Sequence, residues 1–271
     1  MILDEPAAEY VLARRVLLDV LDALGPHRDA VVLVGAQAVY LHTGDADLNV
    51  APMTTDADIA LAPDRLLDEP LLEKILLAAG FVAMPDPGSW RGTMGVAVDI
   101  MVPAALSPGR RGARLGVHGN RVARRSAGLE PTLVDNVVME IGPMDGARDR
   151  LYSIRVAGPA ALTVAKILKI EERRNHAGRR QAKDGLDVLR LLQATETDLL
   201  AARLVELAGH PLACDVTRLA IRALEEHGRD PVGPLASMVA DAVAGVTDPD
   251  TPVASLIALV DDLLRAIRAH R

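Results

Sequence analysis

Apolar residues recur at helical spacing near the start of the chain. Val11, Leu12, Val16, Leu17, Val20, Leu21 and Leu24 mark one face of residues 8–24, and Gly25-Pro26 ends the run. The period then changes. Residues 30–34 are wholly apolar and Val-rich, the pattern of a buried strand. Gly35-Ala36 follows, residues 37–42 read as the start of a helix, and 43–54 form a loop rich in Gly, Asp, Asn and Pro. Residues 56–61 alternate acids with apolar or small side chains, which predicts a second strand. The stretch 63–79 predicts a helix closed by Gly80. Residues 81–84 read as a strand, 85–88 as a turn, and 96–102 as another alternating strand stopped by Pro103. Residues 107–128 have no clear period and read as a loop or a mobile hairpin. The stretch 129–150 is ambiguous, and 152–156 predicts a last strand.

From Pro159 onward the pattern is helical almost without break: 159–174, 181–193, 196–208, 212–227, 233–244 and 252–269. Loops such as Gly209-His210-Pro211 separate these segments. The expected fold class is therefore α+β, a mixed-sheet domain over 1–157 followed by a helical domain over 158–271. There is no internal repeat and no low-complexity tract.

Composition narrows what such a chain can do. With one Phe, one Trp and three Tyr, the core must be built from Ala, Val, Leu and Ile. Base-stacking platforms, which need several exposed aromatics, are disfavoured. The net charge of −7 argues against wholesale coating of duplex nucleic acid and leaves room only for a local basic patch. Cys214 is the one cysteine, so neither an intrachain disulfide nor a cysteine-rich zinc site can form; it reads as a small buried hydrophobe. No uncharged apolar run approaches the ~20 residues a spanning helix needs. Residues 1–6 carry two acids and lack the basic start of a signal peptide, so the expected location is cytoplasmic, away from membranes.

The candidate chemistry is carboxylate chemistry. In a strand, side chains two apart share a face, so Asp56 and Asp58 project together, about 7 Å apart. Two acids on one face of an apolar strand call for a positive partner, and a divalent cation supplies one. Asp99 lies on a second apolar strand. If the strands pair, three carboxylates converge, an oxygen-donor set suited to Mg²⁺ and substrate phosphates. The plainer reading of Asp-x-Asp is a pair of solvated turn acids. Gly35-Ala36, between a buried strand and a helix, lets a ligand approach the backbone, and the first helical N–H groups can bind phosphate. The plainer reading there is a packing glycine.

Three segments together resemble the nucleotidyltransferase superfamily with the polymerase-β-like fold: residues 35–42 (GAQAVYLH), 54–61 (TTDADIAL) and 98–103 (VDIMVP). A second match lies in the helical half. Residues 165–173 (AKILKIEER) and 183–188 (KDGLDV) are similar to the Lys…Arg…Lys/Arg-Asp-x-x-Asp helices of abortive-infection-type nucleotidyltransferase toxins from bacterial toxin–antitoxin pairs. Together the matches cover roughly residues 30–195. The resemblance implies that Asp56, Asp58 and Asp99 bind Mg²⁺ or Mn²⁺, with Asp99 a candidate base. It implies that Gly35, Ala36 and Thr54 lie at the triphosphate, with Lys166 and Lys169 contacting phosphate and Asp184 near the site. It further implies nucleotide transfer to an acceptor such as the 3′ end of tRNA, with a cognate antitoxin as a partner protein. The sequence departs from the pattern at Ala36, where Gly or Ser is usual, at Pro52, where many relatives carry Arg, and over 107–128.

Read physically, Lys166, Lys169 and Arg173 share one helix face, and Asp184 and Asp187 share another. They form either a salt-bridged surface or a cationic wall for a triphosphate. Arg110, Arg111, Arg114, Arg121, Arg124 and Arg125 form one basic cluster; Arg173, Arg174, His176, Arg179, Arg180 and Lys183 form a second. Such clusters are either solvated faces or, if the substrate is RNA, backbone contacts. The functions in contention are a metal-dependent nucleotidyltransferase acting on tRNA, a protein hydroxyl or a small molecule such as an aminoglycoside, and a weak or inactive nucleotide- or partner-binding module of the same fold. A metal-dependent phosphohydrolase ranks last, because the His-Asp ligand doublet is missing.

Overall fold

The structure is a computed structural model that describes residues 7–44, 54–144, 150–174 and 182–271. The terminal stretch 1–6, most of the 43–54 loop with Pro52, and the segment carrying His176, Arg179 and Arg180 lie outside the described residues. The chain divides into two units, Met1–Ala38 with Ala51–Ala157, and Val39–Val50 with Gly158–Arg271.

The first unit opens with helix α1, Ala8–Ala23, whose periodic face buries Val16, Leu17, Leu18, Val20 and Leu21. A 3₁₀ turn, Gly25–Ala30, leads into strand β1, Val31–Val34, buried along its whole length. Helix α2, Gly35–Thr43, starts at the next residue. Strand β2 is Asp56–Leu61, α3 is Leu72–Ala78, β3 is Val82–Ala83 and β4 is Ser89–Arg91. Strands β5, Ala97–Pro103, β6, Arg124–Ser126, β7, Asn136–Ile141, and β8, Tyr152–Ala157, complete the sheet. The strand order is β3-β4-β5-β2-β1-β8-β7, with β6 pairing β5 off that path. It is a mixed sheet: β1 runs antiparallel to β2 and parallel to β8, while β2 runs parallel to β5.

The predicted helix over 63–79 is broken. A 3₁₀ turn spans Pro63–Arg65, and regular helix resumes only at Leu72. Pro70 lacks an N–H and pushes its predecessor out of helical geometry. Two buried imidazoles take over the intervening main chain. His27 Nδ1 accepts from Leu67 N–H and its Nε2 donates to Pro70 O, at 3.4 and 2.7 Å. His118 Nδ1 accepts from Leu72 N–H and its Nε2 donates to Leu67 O, at 3.2 and 2.8 Å. The predicted strand over 81–84 shrinks to two residues. The ambiguous stretch 129–150 contains β7, and the aperiodic 107–128 ends in β6.

The second unit is helical: α4, Pro159–Arg173; α5, Ala182–Ala194; α6, Thr197–Gly209; α7, Cys214–His227; α8, Pro234–Val243; and α9, Asp250–His270. Gly158-Pro159 and Gly233-Pro234 start two of them with proline in the first turn, where its missing N–H costs nothing. Helix α4 packs on α5 and α7, α5 on α8, and α6 on α9. Leu, Ile and Val fill the space between them, among them Ile167, Leu189, Leu204, Ile221, Val239 and Val260. The architecture is α+β, as the pattern predicted.

All five aromatic side chains, Tyr10, Tyr40, Phe81, Trp90 and Tyr152, are buried, so none is presented for base stacking. Cys214 differs from expectation. It is half-exposed in the first turn of α7, where its predecessor Ala213 takes the fully buried place. Among the described residues no helix is long and apolar enough to cross a membrane.

Candidate active site

Strand register decides which acids meet. Asp58 on β2 stands opposite Val34 on β1 and beside Asp99 on β5, and Asp99 stands opposite Ser89 on β4. Register partners share a face of the sheet. Val34, Asp58, Asp99 and Ser89 therefore form one row across four strands, with Asp56 two residues along β2 on the same face. All three acids are half-buried, while their neighbours Ala57, Ile59, Val98 and Ile100 are fully buried.

The bend after β1 lies against this row. Gly35 has φ +70°, a left-handed conformation that favours glycine. A β-carbon added there would come 2.7 Å from Asp58 Cβ and 2.8 Å from its Cγ, with Oδ2 nearer still. The missing side chain is the space that the Asp58 carboxylate uses. The start of α2 is thus pressed against Asp58.

Buried polar contacts set the position of Asp56. Thr54 Oγ1 donates to its Oδ1 at 2.5 Å. Gln37, 1% exposed, donates from Nε2 to the Asp56 carbonyl at 3.1 Å. Gln37 Oε1 in turn accepts from Arg14 Nε at 2.9 Å. Arg14 is itself buried and also donates to Tyr10 Oη and Gly142 O. An arginine on α1 therefore fixes the first turn of α2, which fixes the start of β2.

Asp99 is held differently. Strands β4 and β6 meet end to end along one side of β5. β4 pairs with Ala97–Asp99 and β6 pairs with Met101–Pro103. Gly88 fills the junction with φ +75°; a β-carbon there would collide with Arg124 N and Ile100 O. The abutting end residues both reach Asp99. Ser89 Oγ donates to Oδ1 at 2.9 Å, and the Arg124 guanidinium donates to Oδ2 at 3.0 Å.

This arrangement tests the fit of a divalent cation. Asp56 and Asp58 are two hard oxygen donors on one face, beside a cradle that a β-carbon would fill, and they suit one such ion. Both oxygens of Asp99 are engaged, one by Ser89 and one by Arg124. In keeping with that, among the described residues no group of three or more His, Cys, Asp or Glu is arranged to hold a metal ion.

A family model for nucleotidyltransferases matches residues 14–208, from the buried arginine of α1 to the end of α6. The chain belongs to the nucleotidyltransferase family. No curated protein matches it.

The helical unit of this nucleotidyltransferase uses its candidate residues on one another. Lys166, expected at a phosphate, is 5% exposed, with Nζ 2.9 Å from Asp184 Oδ1 and 2.7 Å from Asp187 Oδ2. Lys169 and Arg173 also point at Asp184, at 3.0 and 3.6 Å. Burial works against the Lys166 charge, but Asp187 and Asp184 outweigh it and hold the ammonium above the ordinary lysine range. Burial likewise pushes the Asp184 carboxyl up, but Lys166 and Lys169 outweigh it and hold it below the usual value. The physical reason for the departure is that facing helices carry the cations and the acids to each other.

The first arginine cluster also divides. Arg121 and Arg125 donate to main-chain carbonyls, Arg124 binds Asp99, and Arg110, Arg111 and Arg114 are exposed. Sequence reasoning did not single out Ser89 or Arg14 for any role, and it treated Arg124 only as one of a run. Gln37 lies within residues 35–42 (GAQAVYLH), where a polar residue just after a buried strand was the sequence signal for it.

Proposed function

We propose that this nucleotidyltransferase is a Mg²⁺-dependent enzyme that moves a nucleoside monophosphate from a nucleoside triphosphate to an acceptor hydroxyl, with the 3′ end of tRNA as the first acceptor to test. The observation that supports this best is the register of Asp58 and Asp99, with Asp56 alongside and the Gly35 bend pressed on Asp58. Asp56 and Asp58 would hold the cation, Mg²⁺ or Mn²⁺, which when bound supplies charge neutralisation for the phosphates. Gly35 and Ala36 would offer main-chain N–H groups to the triphosphate at the start of α2. Thr54 and Gln37 orient Asp56. The acceptor oxygen would form a bond to the α-phosphorus while the bond from that phosphorus to the β-phosphate oxygen breaks, releasing pyrophosphate. The hydroxyl proton would pass to Asp99. Positioning and charge, rather than a protein nucleophile, would carry such a reaction. Lys166, Asp184 and Asp187 are read as an internal anchor of the helical unit. A toxin-like role with a cognate antitoxin belongs to the same proposal.

A second reading is favoured by the engagement of both Asp99 oxygens: a nucleotide-binding module without turnover. One assay separates the two. The protein and its Asp58→Asn variant are incubated with each labelled triphosphate, Mg²⁺ and total tRNA, then with protein and aminoglycoside acceptors. Label in an acceptor that disappears with Asp58→Asn supports the enzyme. Undiminished triphosphate binding with no label in any acceptor supports the module.

A further inference from the structure

We propose that Arg124 is a positioning residue that decides when Asp99 joins the carboxylate site. It neutralises Asp99 while no nucleotide is bound and releases it when a triphosphate draws the guanidinium away. The proposal rests on the reading of Asp56 and Asp58 as cation ligands.

Three observations carry it. The first is charge. Asp56, Asp58 and Asp99 put three carboxylates on one face, and Arg124 brings a cation to one of them, Asp99. The second is geometry. Ser89 and Arg124 hold one Asp99 oxygen each, at 2.9 and 3.0 Å, so this carboxylate enters the resting site already bonded. The third is how Arg124 differs from the arginines beside it. Arg125 donates to the carbonyls of Gly109 and Ala104, and Arg121 to that of Pro85, contacts that staple loops. Arg124 ends on a carboxylate instead. Its side chain is 35% exposed and that of Asp99 30% exposed, so water reaches the pair and it can exchange partners. Its main chain cannot drift, because β6 pairs with β5 and the Gly88 junction abuts its amide. A side chain that can swing on a fixed backbone suits an anion arriving on the same face, and guanidinium groups bind phosphate oxygens well.

The test is equilibrium binding of Mn²⁺ to the full chain without nucleotide, followed by electron paramagnetic resonance of the free ion. Wild type is expected to bind one Mn²⁺, and Asp58→Asn to lose it. Arg124→Gln is expected to bind Mn²⁺ roughly three- to tenfold more tightly, since the competing cation is gone. Arg124→Lys should behave as wild type, and Arg124→Gln combined with Asp99→Asn should lose the gain. Asp99→Asn alone should weaken nucleotide-free affinity by about the same three- to tenfold, because it leaves the Arg124 charge uncompensated without removing a metal ligand. With Mn²⁺ present, Arg124→Gln should bind an α,β-methylene triphosphate several-fold more weakly. A residue that only braces the sheet would not shift metal and triphosphate affinity in opposite directions. Melting curves without metal confirm that each variant is folded, and the Asp99→Asn arm stands if Arg124→Gln is not. Equal Mn²⁺ affinity in wild type and Arg124→Gln, or a loss well beyond about tenfold in Asp99→Asn alone, overturns the role of Arg124 while leaving the carboxylate site intact. Mn²⁺ binding that survives Asp58→Asn overturns the carboxylate reading and this inference with it.

Discussion

Replacing Gly35 with alanine tests the site through a single methyl group. The backbone there has φ +70°, and holding an L side chain in that region costs about 1–2 kcal/mol. Its β-carbon would lie 2.7 Å from Asp58 Cβ and 2.8 Å from Cγ. Non-bonded carbons settle at about 3.5–4.0 Å, so the Asp58 side chain must retreat by roughly 1 Å. A misplacement of that size at a reacting centre costs about 100-fold in rate. The strain alone lowers the melting temperature by about 2–8 °C in a protein of this size. Gly80→Ala supplies the control. Gly80 has φ +85°, but nothing lies within 4 Å of the added carbon, so it carries strain without collision. Both variants should melt lower than wild type, Gly35→Ala by the larger amount because the collision adds to the strain. In the label-transfer assay, at a temperature where both are folded, kcat/KM should fall about 100-fold in Gly35→Ala and hardly change in Gly80→Ala. If Gly35→Ala transfers label within about twofold of Gly80→Ala, Asp58 does not need its present position and the catalytic reading of this bend is refuted.

Three further outcomes follow from buried charge and buried hydrogen bonds. Lys166→Met leaves Asp184 and Asp187 in the interior without their closest cation and should cost about 3–5 kcal/mol in urea unfolding; a loss under about 1 kcal/mol would contradict the buried anchor. Because the folded state holds the Asp184 carboxyl below its ordinary 3.8, that stabilisation is whole above about pH 4 and declines as pH falls from 3.8 through the lower folded value. The raised Lys166 value acts at the other end: its contribution is whole below 10.5 and is lost as pH rises through the folded value. Urea midpoints measured against pH should therefore show a flatter acid limb in Asp184→Asn than in wild type, and coincident limbs would count against the pairing. Gln37→Leu strips a partner from Arg14 and from the Asp56 carbonyl together, so it should destabilise the protein by about 1–3 kcal/mol and slow label transfer; unfolding and transfer measured side by side check both.

Much of this fold can be read from residue periods. The helices of the second unit repeat apolar positions over ten residues or more, and their first and last turns fall within a few residues of the predicted ends. Strands β2 and β5 stand out because acids interrupt otherwise apolar alternation, and the same interruption marks the candidate site. Elements without room for a period stay hidden. β3 has two residues, and β4 and β6 have three each, too few for alternation to register. The clamp on Asp99 comes from β4 and β6, so its members were the ones not foreseen. Arg124 reaches Asp99 across 25 residues of sequence, and no local pattern announces such a meeting. The helical cations show a complementary limit. Spacing put Lys166, Lys169 and Arg173 on one face, but only tertiary packing reveals that the facing helix brings Asp184 and Asp187 to them.

The two buried imidazoles beside residues 66–72 hydrogen-bond this stretch through its main-chain atoms, the amides of Leu67 and Leu72 and the carbonyls of Leu67 and Pro70. The side chains of Leu67, Asp68 and Glu69 are exposed. The contour of this crossing is thus written at positions 27 and 118, far from the residues that trace it. Substitutions at 67–69 can accumulate without altering its course, whereas a change at either histidine would unfasten a stretch whose own sequence had stayed the same.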